Sequence, residues 1–258
     1  MIKELTLVKD TAIEAGNLIL NYYKADYEIR DKGYHNPVTT ADHASDACIK
    51  KILTESFPEY GWLSEETVDS KVRLKKDRVW VVDPLDGTKE FIEGVPHFVV
   101  SIALVEMGKP ILGVLYNPVT TEMFSAVQGL GANLDDKSIQ CVSKKETKDM
   151  IILNSRSEKK KGLWDPYLDT FAELRAIGSV AYKLGLTAAG KADVFASLRP
   201  KNEWDICAGD CIINEAGGKL IDLNGKRRNY NQNETLIAPG LIAGDVDAVD
   251  KTFSIIGP

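Results

Sequence analysis

The sequence predicts an α+β fold, organised as a layered, alternating α/β sandwich. Three observations support this class: apolar residues at helical spacing near the N-terminus, a following series of strand-like runs, and a C-terminal part that alternates between both patterns. A helix pair, a meander and mixed α/β segments in this order are typical of layered α+β architecture. We place a soft boundary near residue 140, between an N-terminal α+β half (1–140) and a C-terminal α/β half (141–258).

Two helices are predicted in the N-terminal half. In the first, apolar residues recur at helical spacing, at Leu5, Val8, Ala12, Ala15, Ile19 and Tyr22. Gly33 and the Asn36-Pro37 step then interrupt the chain. A second helix is expected from about Thr40 to Ser56.

Strands dominate the next part of the chain. Runs rich in Val, Ile, Phe and Tyr at 78–82, 98–105, 111–116 and 122–127 predict a strand followed by an antiparallel meander. In the C-terminal half, strands are predicted at 151–153, 192–196, 219–222 and 235–238, and helices at 166–174, 180–189, 205–215 and 246–253. Gly217 and Gly218 suit a left-handed cap after the third of these helices.

Composition excludes several classes of function. The 258 residues are 44% apolar and 27% charged, with a formal net charge of −6 and no basic tract. Long nucleic acid is an unsuitable partner, because Lys and Arg supply most of the affinity for it. No run approaches the ~20 apolar residues of a membrane span, and the charged N-terminal segment lacks the apolar core of a signal peptide. We therefore expect a cytoplasmic protein.

The cysteines are Cys48, Cys141, Cys207 and Cys211, and they contain no CxxC pair. Cys207 and Cys211 lie four positions apart in a predicted helix and could share a ligand site, but no third ligand type lies nearby in sequence. Reduced core thiols, as in cytoplasmic proteins, are the favoured interpretation.

The most informative segment is residues 81–91, Val-Val-Asp-Pro-Leu-Asp-Gly-Thr-Lys-Glu-Phe, where a predicted strand meets a new element. Asp83 and Asp86 can converge on one point if the chain turns at the intervening proline, and the turn frees the Leu85 carbonyl for the same point. Carboxylates and a carbonyl form a hard oxygen cluster, which suits Mg²⁺ better than Zn²⁺. The N–H groups of Gly87 and Thr88 could then hold a phosphate. The alternative is a capping turn in which Asp86 only caps and Asp83 is solvated.

Three further acidic sites lie at the ends of predicted elements. Glu65 follows a short apolar segment, Asp42 lies in the first turn of the second helix, and Asp205 precedes an apolar helix. Taken singly, Asp42 reads as an acid favoured by the helix dipole, and Asp205 as a helix cap. Four acidic sites, all at the ends of predicted elements, are hard to dismiss together as caps or solvated acids.

These segments resemble the lithium-sensitive phosphatase family that includes inositol monophosphatase, fructose-1,6-bisphosphatase and 3′(2′),5′-bisphosphate nucleotidase. The matching pieces are VTTAD at 38–42, LSEET at 63–67, DPLDGT at 83–88 and WDICAGDCIINEAGG at 204–218, and GSVAYKLG at 178–185 is also similar. They occur in the family's order and at its spacings. The resemblance implies the family's fold, a Mg²⁺ cofactor and hydrolysis of a phosphate monoester.

Carried over to this chain, the resemblance implies roles for individual residues. The metal ligands would be Glu65, Asp83, the Leu85 carbonyl, Asp86 and Asp205. Glu65, Thr88 and Asp42 would activate and orient the attacking water, and the N–H groups of Gly87 and Thr88 would hold the phosphate. The histidines fall outside this set, and we expect structural or surface roles for His35, His43 and His97.

One local feature bearing on the substrate follows the phosphate loop. The nucleotidase branch typically reads Asp-Gly-Thr-Lys-x-Phe, as this chain does at 86–91, whereas inositol monophosphatases read Asp-Gly-Thr-Thr-Asn-Phe. Lys89 could direct a positive charge toward a second phosphate. A solvent-facing lysine is the alternative.

A second feature that bears on the substrate lies just before Asp205. We also expect Asp205 itself to contact the substrate. Inositol monophosphatases resemble one another in placing a Glu seven positions before this Asp, where it binds sugar hydroxyls. That position is Leu198 here, and Arg199-Pro200-Lys201 follows. An apolar residue with Arg199 and Lys201 suits a base and an extra phosphate better than an uncharged cyclitol.

The prediction is therefore a Mg²⁺-dependent phosphomonoesterase that converts 3′-phosphoadenosine 5′-phosphate to AMP and phosphate. An inositol-1-phosphate or sugar phosphate (fructose-1,6-bisphosphate) phosphatase is the alternative in the same class. A non-catalytic metabolite- or metal-binding protein on the same fold is the alternative from another class. Such a protein would be expected to lack at least one of the metal-ligand residues, and this sequence has all of them. The expected partner is a small phosphorylated metabolite. The sequence is also compatible with a homodimer.

Overall fold

The computed structural model describes residues 1–31 and 37–258. Three residues named above, Gly33, His35 and Asn36, lie outside the described residues, so the predicted chain break and the role expected of His35 are not addressed. Among the described residues, no helix is long and apolar enough to cross a membrane.

Helices occur in both halves of the described chain. They are α1 (Ile2–Tyr22), α2 (Thr40–Ser56), α3 (Thr88–Ile92), α4 (Arg156–Lys160), α5 (Val180–Ala188), α6 (Glu203–Glu215) and α7 (Val246–Ile256). The predicted first and second helices are confirmed as α1 and α2. The apolar positions that predicted α1 form its buried face, and Val8, Ala12, Ala15 and Ile19 are inaccessible to solvent.

The N-terminal half is built on a seven-stranded sheet. Its strands, in spatial order, are β3 (Gly61–Ser64), β4 (Arg78–Asp86), β5 (Val99–Glu106), β6 (Lys109–Asn117), β7 (Glu122–Val127), β8 (Ala132–Leu134) and β9 (Lys137–Ile139). β3 runs parallel to β4, and the remaining neighbours are antiparallel. The predicted meander is confirmed. A separate two-stranded sheet pairs β1 (Ile29–Asp31) with β2 (Pro37–Thr39).

The C-terminal half contains a five-stranded mixed sheet. Its strands, in spatial order, are β11 (Glu173–Ile177), β10 (Ile151–Ser155), β12 (Val194–Ser197), β16 (Leu241–Asp245) and β14 (Gly218–Asp222). β10 is parallel to both of its neighbours, whereas β16 is antiparallel to both of its own. Two short strands, β13 (Lys201–Asn202) and β15 (Leu236–Ile237), pair separately.

The predicted helix at 166–174 is wrong. The chain instead makes a short 3-10 turn at Asp165–Tyr167 and then enters β11. β11 is a half-buried edge strand whose residues all pair with β10, from Glu173 opposite Ile151 to Ile177 opposite Ser155. At Glu173 and Leu174, where the predicted helix and β11 overlap, pairing with β10 has overridden the local helical pattern.

The elements stack in layers. α1 and α2 cover one face of the seven-stranded sheet, and α5 and α6 lie between its other face and the five-stranded sheet. α7 covers the outer face of the five-stranded sheet. This order confirms the predicted layered α+β fold. The division near residue 140 stays a prediction, because the core between the sheets draws side chains from both halves.

Two smaller predictions can be compared with the structure. Gly217 follows α6 with φ of 81°, the left-handed conformation expected of a glycine cap. The four cysteines are free thiols, and Cys207 and Cys211 are buried in the core between the two sheets. The interpretation of these two residues as core thiols is confirmed.

Candidate active site

The C-terminal end of β4 carries two of the predicted metal ligands. The pairing of β4 with β5 shifts register between Asp83 and Asp86, so the strand bulges at the intervening proline. Asp83 is 2% exposed and Asp86 is 8% exposed. The Leu85 N–H donates a hydrogen bond of 3.1 Å to Asp83 Oδ1, which closes the bulge. Asp83 is therefore a buried carboxylate in a constrained turn, and the solvated alternative is excluded.

Three of the predicted ligands converge. Glu65, Asp83 and Asp205 each offer a carboxylate oxygen, and these oxygens lie within 4.8 Å of one another. Glu65 reaches the cluster because β3 runs parallel to β4, and the Glu65 N–H donates to the Val82 carbonyl over 3.2 Å. Two parallel strands thus end at the same edge with an acid each.

Asp205 comes to the cluster from the other half of the chain. It lies in the first turn of α6, where its Oδ2 accepts a hydrogen bond of 2.8 Å from the Asn202 N–H as part of a capping box. The capping interpretation and the metal-site interpretation are therefore both compatible with this residue. The cap holds one oxygen and fixes the direction of the carboxylate.

Asp86 lies beside this set but is held differently. Its Oδ2 accepts two hydrogen bonds of 2.5 Å, one from the Ser179 hydroxyl and one from the Ala181 N–H. Both donors belong to the turn that starts α5. Asp86 is therefore not the cap of α3, which begins after Gly87 without a side-chain capping bond.

The carboxylates strongly disfavour one another's charge. Burial and the charges of Glu65, Asp86 and Asp205 raise the pKa of Asp83 well above its usual range. Burial, followed by the charges of Asp86 and Glu65, raises the pKa of Asp205 to about 8. Burial raises the pKa of Asp86 to about 6, although two hydrogen bonds oppose the shift. Crowded, buried carboxylates of this kind need a compensating positive charge.

The donor set fits magnesium. Every converging side chain offers a carboxylate oxygen, and the described residues place no histidine or cysteine in the cluster. Hard divalent cations prefer oxygen ligands, whereas zinc sites generally include nitrogen or sulfur. The cluster is thus suited to bind Mg²⁺, in agreement with the chemistry predicted from the sequence.

A hydroxyl–carboxylate pair adjoins the cluster. Thr88 Oγ1 donates to Asp42 Oδ1 over 3.0 Å and lies 3.3 Å from the Leu85 carbonyl oxygen. The other oxygen of Asp42 accepts from the Thr39 N–H at 2.7 Å and from the Thr39 hydroxyl at 2.6 Å. Asp42 therefore caps α2 and also holds Thr88, so neither role excludes the other.

Helix α2 also supports the neighbouring loops. Ser45 donates to the Pro84 carbonyl over 2.8 Å. Asp46 accepts hydrogen bonds from the hydroxyls of Ser64 and Thr67, which flank Glu65 on both sides. Sequence reasoning missed these supports. The available signal was a set of polar residues at helical spacing on the face of α2 that carries Asp42.

The turn between β4 and α3 requires glycine at position 87. Gly87 has φ of 108°, and a Cβ there would lie 2.6 Å from the His97 carbonyl oxygen. No other residue fits this conformation without strain. The backbone at Gly87 and Thr88 is consequently held at the start of α3, next to the Thr88–Asp42 pair.

The predicted specificity residues occupy different environments. Lys89 and Arg199 are exposed, and Leu198 packs against the outer core of the C-terminal half. Lys201 is partly buried; its Nζ donates to the Arg199 and Pro200 carbonyls at 3.2 Å. Burial lowers the pKa of Lys201. Contact of these cations with a substrate stays a prediction.

The two histidines among the described residues, His43 and His97, lie at the margin of the site. His43 is exposed, and its Nδ1 lies 3.9 Å from Glu66 Oε2. His97 is partly buried, and its carbonyl oxygen packs against Gly87. Burial lowers the pKa of His97, which favours its neutral form. Their structural or surface roles stay predictions.

A turn that sequence reasoning noted only as a resemblance contributes directly to the site. Ser179 and Ala181 hold Asp86, and Lys183 lies beneath them at 2% exposure. Burial lowers the pKa of Lys183 to about 8, while the charges of Asp86 and Glu90 oppose the shift. These two carboxylates thus offset part of the cost of burying the Lys183 ammonium.

Comparison with known proteins agrees with this geometry. The family profile described as the inositol monophosphatase family matches residues 2–251. The 3′(2′),5′-bisphosphate nucleotidase CysQ of Shigella flexneri is 35% identical over 241 residues, covering 92% of this chain and 97% of the relative. The Nus factor SuhB of Pasteurella multocida is 34% identical over 230 residues, covering 86% and 85%. A Thermotoga maritima IMPase structure superposes with a TM-score of 0.87 at 27% identity, covering 98% and 96%.

Proposed function

Because this chain belongs to the inositol monophosphatase family of phosphatases, we propose that it is a Mg²⁺-dependent phosphomonoesterase that converts 3′-phosphoadenosine 5′-phosphate to AMP and phosphate. The observation that carries the hydrolytic part is the convergence of Glu65, Asp83 and Asp205 within 4.8 Å. The Thr88–Asp42 pair beside them supplies a proton acceptor. The substrate is proposed from the residues around the phosphate loop and before Asp205.

The proposed metal ligands are Glu65, Asp83, the Leu85 carbonyl, Asp86 and Asp205. Magnesium supplies positive charge that offsets the phosphate dianion and makes the attacking water more acidic. The raised pKa values of Asp83, Asp86 and Asp205 support the assignment, because burial and repulsion between neighbouring carboxylates disfavour their charged forms, which a bound cation would favour.

The protein's part in the chemistry is the movement of one proton. Thr88 Oγ1 donates its proton to Asp42 Oδ1, which leaves oxygen lone pairs to accept a proton from water. As the water loses that proton to Thr88, the proton already shared with Asp42 passes to the carboxylate. The water oxygen, oriented by Glu65, bonds to phosphorus, the ester P–O bond breaks, and the leaving oxygen takes a proton from solvent. The N–H groups of Gly87 and Thr88 hold the phosphate.

The choice of an adenosine bisphosphate rests on residues after the phosphate loop and before Asp205. Lys89 follows the phosphate loop as in the nucleotidase branch, and Leu198 replaces the glutamate that binds sugar hydroxyls in inositol monophosphatases. Arg199 and Lys201 lie next to Leu198, and Asp205 lies four residues beyond Lys201. Lys201 Nζ now contacts two loop carbonyls, which a phosphate oxygen could replace.

An inositol or sugar phosphate phosphatase is the second candidate, supported by the similarity to the Thermotoga maritima IMPase structure. A non-catalytic binding protein is disfavoured because every proposed ligand is present. We also propose lithium inhibition, since Li⁺ can take a Mg²⁺ position without its charge.

The test is a phosphate-release panel with Mg²⁺. 3′-Phosphoadenosine 5′-phosphate, inositol 1-phosphate and fructose 1,6-bisphosphate are compared at equal concentration, with Asp83→Asn as a blank. We expect the highest kcat/KM for the adenosine bisphosphate. A clear preference for inositol 1-phosphate would replace the nucleotidase proposal with the second candidate. Absence of phosphate release from all three would contradict the enzyme itself.

A further inference from the structure

A strained turn joins β11 to α5. Ser179 has φ of 57° and ψ of 132°, a conformation that residues other than glycine rarely adopt. Its hydroxyl oxygen accepts a hydrogen bond from the Tyr182 N–H at 2.9 Å and caps α5. A cap alone does not need this conformation, because capping residues ordinarily have extended backbones. The strain therefore requires another explanation.

The explanation lies in the contact with Asp86. The Ser179 hydroxyl donates to Asp86 Oδ2 at 2.5 Å, and the Ala181 N–H donates to the same oxygen at 2.5 Å. Two donors on one oxygen fix the rotation of the carboxylate and leave Oδ1 as the oxygen for a cation. Asp86 is only 8% exposed, so water cannot substitute freely for these donors.

Lys183 holds this turn from below. Its ammonium donates to the Ile177 carbonyl at 3.0 Å and to the Ser179 carbonyl, so it fastens the backbone before and at the strained residue. The side chain is 2% exposed, and Nζ lies 5.2 Å from the centre of the Phe195 ring. A buried ammonium is costly unless its surroundings compensate it. Here the compensation is the two carbonyls and the nearby carboxylate of Asp86.

The turn is also packed against the phosphate-loop helix. A Cβ at Gly178 would lie 2.1 Å from Glu90 Cγ, so the backbone at Gly178 packs directly against the side chain of Glu90 in α3. Glu90 is fixed in turn by Arg156, whose Nη1 lies 3.0 Å from Glu90 Oε1. The turn thus has little room to relax away from Asp86.

We propose that Ser179 and Lys183 are positioning residues that pre-orient Asp86 for a divalent cation, so that the metal affinity of the site depends on a strained turn in the C-terminal half. The proposal rests on the proposed function, because it takes the cluster around Asp83 as a metal site. Supports of metal ligands of this kind typically change affinity by about 10- to 100-fold when removed.

Ser179→Gly separates positioning from a purely structural role. Glycine adopts a positive φ without strain and is nearly as good a helix cap as serine, so the melting temperature of the metal-free protein should stay at or above that of the wild type. The affinity for Mg²⁺ alone, measured by calorimetry without substrate, should fall about tenfold or more. A lower melting temperature with unchanged Mg²⁺ affinity would overturn the proposal.

Lys183→Met gives a second test. Methionine keeps the unbranched shape but removes the charge and both hydrogen bonds, so Mg²⁺ affinity should again fall about tenfold or more. The double variant should lose less than the product of the single losses, because both residues act through one carboxylate. Full additivity would contradict the shared route through Asp86.

The matched control is Ser155→Gly. Ser155 caps α4 with its hydroxyl, which accepts from the Glu158 N–H at 3.4 Å, and its φ of −79° is unstrained. This variant should bind Mg²⁺ as the wild type does. Wild-type protein that binds no Mg²⁺ would overturn both the metal site and the positioning proposal. Wild-type protein that binds Mg²⁺ but leaves the adenosine bisphosphate intact would contradict only the proposed substrate.

Discussion

Thr88 donates its hydroxyl proton to Asp42 across 3.0 Å, and this contact joins the start of α3 to the start of α2. Asp42 is 1% exposed, and Thr39 occupies its second oxygen with two hydrogen bonds. The carboxylate therefore has one oxygen directed to Thr88 and little freedom to turn away. This arrangement suits a proton acceptor that must keep its direction without help from solvent.

The first prediction concerns this pair. Thr88→Val keeps the shape but removes the hydroxyl, so kcat should fall by about 10²–10⁴, the usual contribution of a positioned general base. Mg²⁺ affinity should change little, because the carboxylate cluster is untouched. Thr88→Ser is the matched control and should keep most of the activity. A valine variant with wild-type kcat would remove Thr88 from the mechanism.

The second prediction concerns Asp83, whose pKa is raised by burial and by neighbouring carboxylates. Asp83→Asn should abolish turnover, because a proposed metal ligand is lost. The metal-free variant should melt at the same temperature as the wild type or higher, since one of several repelling charges is gone. Thermal melts with and without Mg²⁺ measure this. Near-normal turnover at saturating Mg²⁺ would contradict the ligand assignment.

The third prediction concerns pH. The folded-state pKa values of about 6 for Asp86 and about 8 for Asp205 exceed the unfolded value of about 3.9. The folded state thus binds more protons than the unfolded state in this range, and the stability that protonation contributes is lost as pH rises. We expect the melting temperature in EDTA to decline between about pH 4 and pH 8. Both carboxylates should contribute to the decline.

Magnesium provides the control for that pH dependence. Bound cation favours the ionised carboxylates, so saturating Mg²⁺ should weaken or reverse the decline. Asp205→Asn should also reduce the slope in EDTA. A melting temperature that rises with pH in EDTA would mean that these carboxylates do not repel one another in the folded protein.

The fourth prediction concerns specificity. The triple variant Lys89→Ala, Arg199→Ala, Lys201→Ala should lower kcat/KM for the adenosine bisphosphate by about 10- to 150-fold. This is the loss expected for one charge-assisted phosphate contact, which contributes roughly 1.5–3 kcal/mol. Inositol 1-phosphate has no second phosphate, so its kcat/KM should barely change.

The control for the triple variant removes three exposed lysines elsewhere, Lys3, Lys51 and Lys148, which matches the change in net charge. That variant should show little change on either substrate. Equal losses on both substrates in the test variant would mean that the cations provide general steering. The nucleotidase assignment would then depend only on the resemblance of the Asp-Gly-Thr-Lys segment at 86–89 to the nucleotidase branch.

The sequence by itself determined most of the local elements. Helical spacing predicted α1, and the Val- and Ile-rich runs predicted β4 to β7, because these elements bury regular apolar faces whose period appears in the chain. The acidic segments were also readable, since carboxylates at the ends of strands and helices stand out against apolar neighbours.

Only the tertiary structure decided which distant residues meet. Glu65 and Asp205 are 140 positions apart, and their convergence depends on β3 running parallel to β4 while α6 packs against the same sheet. The strand β11 became an edge of the second sheet by pairing with β10, although the predicted helix at 166–174 included its first two residues. Such pairings depend on surfaces supplied by remote segments, which a local pattern cannot contain.

The support of Asp86 shows the same limit most clearly. The sequence at 178–185 indicated a familial segment but not the positive φ of Ser179, nor the contact of its hydroxyl with a carboxylate 93 positions earlier. Local sequence encodes the chemistry of a side chain and the period of an element. The direction of a buried carboxylate is decided by the donors that the folded chain brings to it, because inside the protein those donors replace water.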